Sequence, residues 1–485
     1  MKLETLLARG EAMHEELGLE YYLTGAGLKQ DPTFHAIYDR YADVASDDAL
    51  EAARASGSRP LLEWVVDVRV GRAVATHQER QLVWEQGAEL EVAGRRIPFL
   101  RAPIEIANMP ERDLRIALDT ARARAVSAAL NTIRLDRFRT EHEVVATLGL
   151  GTYVDTVASL SGVDLDALAR QARDFLACTE APYLDGLARL ARRRIGAGID
   201  ALVRSDAAWL FRADGFDVAF PSGALVETAV GQMCEMGLDP TIGGRVRFDT
   251  EEREGKQARA FCVPVRVPHE VYLVLRPRGG HSDYRTFWHE LGHAMHFASV
   301  SETLPFAARW LGDNSVTEGY AMLWDHLTLD LGWLRRYGGL SADDAASLAH
   351  ELAVGELFLA RRYAAKINYE LELHSSDLGA VSERYADYLT DATKFRYSAD
   401  DYLVDVDPGF YSARYLRAWQ LEAALSRFLV ERYDEDWYRN PRAGTEVQAW
   451  MHRGQTDTAD EIAQQVCGAP LSFAAVADRT IAILD

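Results

Sequence analysis

A chain of 485 residues, 48% of them apolar, can bury a large core as one domain or as several. Its formal net charge of −21 argues against nucleic acid or an anionic membrane as partner. No apolar run reaches transmembrane length, and Met1 to Leu7 lacks the long apolar stretch of a signal peptide, so the expected setting is the cytoplasm. Cys178, Cys234, Cys262 and Cys467 show no metal or redox spacing and are expected as reduced, buried thiols.

Residues 1–200 are expected to form an N-terminal helical domain, and residues 201–485 a catalytic one. Leu90 to Leu100 reads as an early hairpin with Gly94 in its turn. Asp164 stands where an N-cap belongs, before an apolar stripe at Leu165, Leu168, Ala169, Ala172, Phe175 and Leu176. A second stripe runs from Leu184 to Ile195. Arg192, Arg193 and Arg194 lie at its end and Gly196 just beyond, which is helix-terminus chemistry rather than a nucleic-acid patch. The β-rich part of the chain is Arg245 to Leu275. Ala260–Val267 and Val271–Leu275 suit a hairpin, with Pro264 marking the first as an edge or irregular strand.

The stretch Phe287 to His296 follows, and it contains His-Glu-x-x-His. On a helix His289 and His293 project within about 40° of one another, so one face can offer two imidazoles to one metal ion. Glu290 falls beside that ion, where a general base for a metal-bound water belongs. Ser282 or Asp283 is expected to cap this helix. A catalytic zinc takes three protein ligands and keeps one open position. Glu318, 25 residues after His293, is the candidate third ligand. Ser315-Val316-Thr317-Glu318 also fits a capping box, in which the Glu only closes a helix start. Asp325, two turns further on, can orient a ligand histidine. His296 is expected to pack rather than ligate, His281 to be a loop histidine, and His374 a solvated cation at a helix end. Tyr411 and Tyr415 lie one turn apart on a helix running to Tyr433. By spacing alone they are amphipathic aromatics.

The metal motif with Glu318 at that interval resembles the thimet oligopeptidase and oligoendopeptidase F family of zinc metallopeptidases. Gly255-Lys256-Gln257-Ala258-Arg259-Ala260-Phe261-Cys262 resembles the family's strand entry, with Arg259 in place of a glycine. Asp407 to Tyr415 resembles its C-terminal tyrosine segment. The likeness covers about residues 140 to 430 and is strongest at the metal helix. It implies a mainly α, elongated multi-helix metallopeptidase fold, with a small sheet beside the metal helix and a central channel for unfolded peptides. It implies one Zn²⁺ ion, oligopeptide substrates, Tyr415 as a hydrogen-bond donor to the oxyanion and Tyr411 as a substrate contact. Two positions depart from the family. Val404-Asp405-Val406 stands where a histidine is usual, and Ala418 where thimet-type members carry a further tyrosine. These departures leave a zinc-bearing peptide binder with weak or lost catalysis as the alternative to a peptidase. A carboxypeptidase of similar helical build is a third reading.

Overall fold

The computed structural model describes residues 1–257 and 259–484. Ala258, within the Gly255–Cys262 stretch, and Asp485 lie outside the described residues. Helix dominates, with one three-stranded sheet and one hairpin among the described residues, so the mainly α class with a small sheet beside the metal helix holds. No described helix is long and apolar enough to cross a membrane.

The chain separates into two compact units. One unit comprises Met1–Val68, Asp214–Ala349 and Arg417–Val476; the other comprises Arg69–Ala213, His350–Leu416 and Ala477–Asp485. The chain passes between them inside the helices Arg59–Gly87, Ala342–Ser375, Tyr411–Tyr433 and Ala474–Leu484, and once outside a helix, between Ala213 and Asp214.

In the first unit the sheet runs β3 (Val246–Asp249), β5 (Glu270–Val274), β4 (Phe261–Arg266). β3 pairs parallel to β5, and β4 pairs antiparallel to it. The expected hairpin is therefore β4–β5, and Pro264 does lie on an edge strand, with the register shifting between Pro264 and Arg266. Side chains alternate across a strand, so Tyr272 and Leu273 face opposite ways. Tyr22 of the helix Leu3–Gly25 stacks on Tyr272, ring centroids 3.6 Å apart. On the other face Phe248, the register partner of Leu273, meets Phe287 of the metal helix edge-on at 5.6 Å. The sheet is thus held between the first helix and the metal helix. Lys256 ties the Gly-Lys segment to the end of β3. Its buried ammonium donates to the Asp249 carboxylate at 2.9 Å, the Asp249 carbonyl at 2.8 Å and the Glu251 carbonyl at 2.7 Å.

In the second unit β1 (Glu89–Val92) and β2 (Arg95–Pro98) pair antiparallel across Ala93-Gly94, both left-handed at φ 51° and 74°. Two left-handed residues form the turn whose twist suits a two-residue hairpin. Asp164 caps Leu165–Cys178 as expected, accepting from the Ala167 N–H at 2.8 Å. The turn Pro408–Phe410 leads into the helix Tyr411–Tyr433, with Gly409 and Phe410 left-handed at φ 64° and 53°. The Gly409 N–H donates to the Tyr153 hydroxyl at 3.0 Å, and that hydroxyl donates to Glu141 at 3.2 Å. Glu370 accepts from the Asp407 N–H at 3.2 Å and from the Ser412 hydroxyl.

Candidate metal centre

The metal helix spans His281–Ser299 and the next long helix spans Asn314–Asp325. Gly280 takes the N-cap position, and no side chain caps there. Asp283 instead reaches back and accepts from the N–H groups of Arg278 and Gly279, so the turn before the helix is what it stabilises. The helix is anchored by Trp288, whose indole N–H donates to Gln232 Oε1 at 2.8 Å; Trp333 donates to the same oxygen at 2.8 Å.

Glu318 does not close a capping box. Asp313 caps that helix by accepting from the Ser315 N–H at 3.0 Å, which places Glu318 in the second turn, facing the metal helix. Gly292 lets the two helices meet. A Cβ there would stand 2.6 Å from Ala321 Cα and 2.7 Å from the Trp324 ring, so only a hydrogen fits.

That approach brings His289, His293 and Glu318 together. Their ligand atoms lie within 4.8 Å of one another, the one such group of three among the described residues. His289 Nε2 is 3.2 Å from His293 Nε2, and Glu318 Oε2 is 3.5 Å and 3.6 Å from the two nitrogens. Zinc bonds of about 2.0–2.1 Å at tetrahedral angles require donors about 3.3 Å apart, so this triangle fits such an ion. The two imidazoles are 21% and 13% exposed against 7% for Glu318, which leaves the histidine side of the triangle reachable.

Both Nδ1 atoms are engaged, which turns both Nε2 atoms to the shared point. His289 Nδ1 lies 2.8 Å from Asp325 Oδ2, and His293 Nδ1 lies 2.8 Å from the Thr317 hydroxyl oxygen. Thr317 was not singled out in the sequence. Its signal was present, because it immediately precedes Glu318 and the second imidazole needs its own acceptor. Burial works against a charged His289, yet the Asp325 and Glu318 carboxylates hold it up at about 10. Burial also opposes ionised Glu318, and hydrogen bonds from His289 and His293 pull its carboxyl well below the usual range.

Glu290 is half-buried and lies outside the triangle. Burial and the Glu290 charge together push the Cys262 thiol well above its ordinary value. The four cysteines are free, but the expectation of burial fails, because Cys178 and Cys234 are exposed. His296 is fully buried and packs as expected, its ring 4.9 Å from Tyr320 and its Nε2 3.3 Å from the Gly454 carbonyl. His281 is not a loop residue. It opens the metal helix, buried, with Nε2 2.8 Å from the Thr328 carbonyl. His374 is not solvated either. It is buried in the second unit, its Nδ1 2.9 Å from His142 Nε2. Tyr411 and Tyr415 also belong to that unit. Their rings are 5.2 Å apart, and Tyr415 lies 5.1 Å from Tyr363.

A mainly α chain, with a three-stranded sheet packed on a helix that offers two imidazoles to a carboxylate of its neighbour, is the architecture these elements define. Solved structures share the fold. A protein provisionally named oligoendopeptidase F, from Bacillus anthracis strain Ames, superposes with a TM-score of 0.64 at 14% identity, covering 96% of this chain and 84% of its own. One provisionally named a peptidase, from Chlamydophila abortus, gives 0.64 at 11% identity, covering 99% and 89%. No family model and no curated protein matches the sequence. The resemblance read from the motifs therefore holds at the level of fold.

Proposed function

We propose that this chain is a zinc-dependent oligoendopeptidase that hydrolyses peptide bonds in oligopeptides. The observation that carries the reading is the donor triangle, with edges of 3.2, 3.5 and 3.6 Å and both Nδ1 atoms occupied. The names of the two structural neighbours support a peptidase. His289, His293 and Glu318 hold one ion. When bound, it polarises a peptide carbonyl and brings the pKa of a water down toward about 7.

The remaining chemistry belongs to the protein's own side chains. Asp325 and Thr317 fix the imidazole planes so that little reorganisation accompanies binding. Glu290, next to His289 and outside the ligand set, takes the proton of the attacking water and passes it to the leaving amine. Tyr415 donates a hydrogen bond to the oxyanion and Tyr411 contacts substrate, roles that the family resemblance implies. The net charge of −21 argues against nucleic acid or an anionic membrane as partner, and four free cysteines suit the cytoplasm.

The test is a mixed peptide pool incubated with and without chelator, its products read by mass spectrometry. Internal cleavage that the chelator abolishes is the expected result. Glu290→Gln should keep its metal and fold while turnover drops by about 10²–10⁴-fold. Full activity in that variant rejects the mechanism. Peptide retained but never cut identifies a zinc-bearing binder instead.

A further inference from the structure

Asp325 closes the helix that carries Glu318, a poor place for an anion, since the last turn of a helix concentrates carbonyl oxygens. It is also buried. Beyond the His289 ring, a guanidinium and a second imidazole approach its other oxygen. Arg285 Nε is 3.4 Å from Asp325 Oδ1, and His326 Nε2 is 3.5 Å from the same atom. His326 is itself buried, and its Nδ1 stands 2.7 Å from Glu422 Oε2. Glu422 is buried deeper still, at 1% exposure. All five residues belong to the same unit.

The order of contacts is thus His289, Asp325, His326, Glu422. A carboxylate only accepts hydrogen bonds, so the His326 nitrogen facing Glu422 carries a proton. Only the doubly protonated ring is attracted to both carboxylates, at 2.7 Å and 3.5 Å, and in that form it stands in one orientation between them. Asp325 then cannot rotate about its own side chain without losing the His326 and Arg285 contacts. His289, held through Nδ1 by Asp325, inherits that restriction. His293 has a simpler arrangement, one hydroxyl on a residue next to Glu318.

Accepting the metal-centre reading above, we infer that His326 and Glu422 are positioning residues for the metal, setting the ring plane of His289 through Asp325. Neither touches the ion or the substrate. Partners one layer beyond the ligands typically change metal affinity by about 10–100-fold, and these two act one layer further out.

The experiment uses the full chain, stripped of metal and titrated with Zn²⁺ against a competing chelator, and separately loaded with Co²⁺ for its visible d–d spectrum. The variants are His326→Asn, Glu422→Ala and Glu422→Gln, each also melted without metal. The expected order of affinity is wild type, then Glu422→Gln, then the other two, which bind about tenfold more weakly. Their Co²⁺ bands shift or lose intensity, and Glu422→Gln, which can still accept from His326, recovers most of the wild-type spectrum.

A purely structural role lowers the melting temperature and leaves affinity and spectrum at wild-type values in all three variants; that result overturns the inference. Should Glu422→Ala fail to fold, Glu422→Gln and His326→Asn decide by the same readings. A wild-type chain that takes up neither ion sinks the metal-centre reading itself, an outcome distinct from normal loading in every variant.

Discussion

Among the described residues two pairs of imidazoles touch, one in each unit, and they are opposites. His289 and His293 approach through Nε2 atoms 3.2 Å apart, beside the Glu318 and Asp325 carboxylates. His142 and His374 approach at 2.9 Å among rings, with Tyr153 4.5 Å and Phe410 5.1 Å from His374. In the first pair carboxylates hold His289 up at about 10. In the second, burial and then the neighbouring imidazole push His374 down to about 3, and burial lowers His142 as well. Two imidazoles in contact do not make a metal centre. A group that could hold an ion also needs a third donor near an aligned pair of Nε2 atoms, and among the described residues only the first pair has one.

The sharpest way to break the contrast is to remove the third donor. Glu318→Ala should abolish stoichiometric zinc uptake and lower peptide turnover by about 10³-fold or more, seen by metal analysis after dialysis and by product formation. Zinc retained at full stoichiometry would mean that the triangle is not the binding site.

The next effect concerns acid. His281, His296 and His374 are held by burial at about 4, 3 and 3, against an ordinary value of 6.5. Between those values the unfolded chain binds more protons than the native one. Their stabilisation is therefore complete above pH 6.5 and is lost as pH falls toward 3, with a slope of up to about 1.4 kcal/mol per pH unit for each histidine. His289 in the ion-free protein has the opposite sign. Its contribution is complete below pH 6.5 and is lost as pH rises through about 10. Denaturant midpoints measured against pH should show both arms, and His374→Phe should flatten the acid arm by about one proton. An acid arm unchanged by that substitution contradicts the buried, neutral assignment.

The smallest effect separates the two ligand histidines. Thr317→Val removes the oxygen beside His293 at nearly constant volume, and should weaken zinc binding by about tenfold, less than Asp325→Asn, which removes a charge. Competition titration of both variants reads the difference, and the reverse order would place the main orienting contact on His293.

The centre was legible in the sequence where it depends on helical spacing and on one carboxylate at a workable interval. His289, His293, Glu318 and Asp325 meet as those intervals imply. The hairpin at Gly94, the Asp164 cap and the edge strand at Pro264 were legible for the same reason, being local. What was not legible depends on distant packing. The position of His374 at the end of a long helix suggests solvent, but aromatic rings from Phe138, Tyr153 and Phe410 enclose it. Ser315 to Glu318 matches a cap pattern, yet Asp313 begins the helix earlier and takes that work. Gln232 left no trace at all, because a glutamine serving two indoles looks like any other polar residue in a helix.

The close approach at Gly292 has a consequence for the order of assembly. Joining His293 to Glu318 closes a loop of 25 residues, whereas joining His326 to Glu422 closes one of 96. Loop-closure entropy rises with length, and contacts near in sequence form sooner. Two neighbouring helices meeting at a residue with no side chain can therefore gather the three donors early, before the last third of the chain is in place. The buried glutamate that steadies them arrives late, so a nascent centre would hold its cation loosely and tighten only on completion.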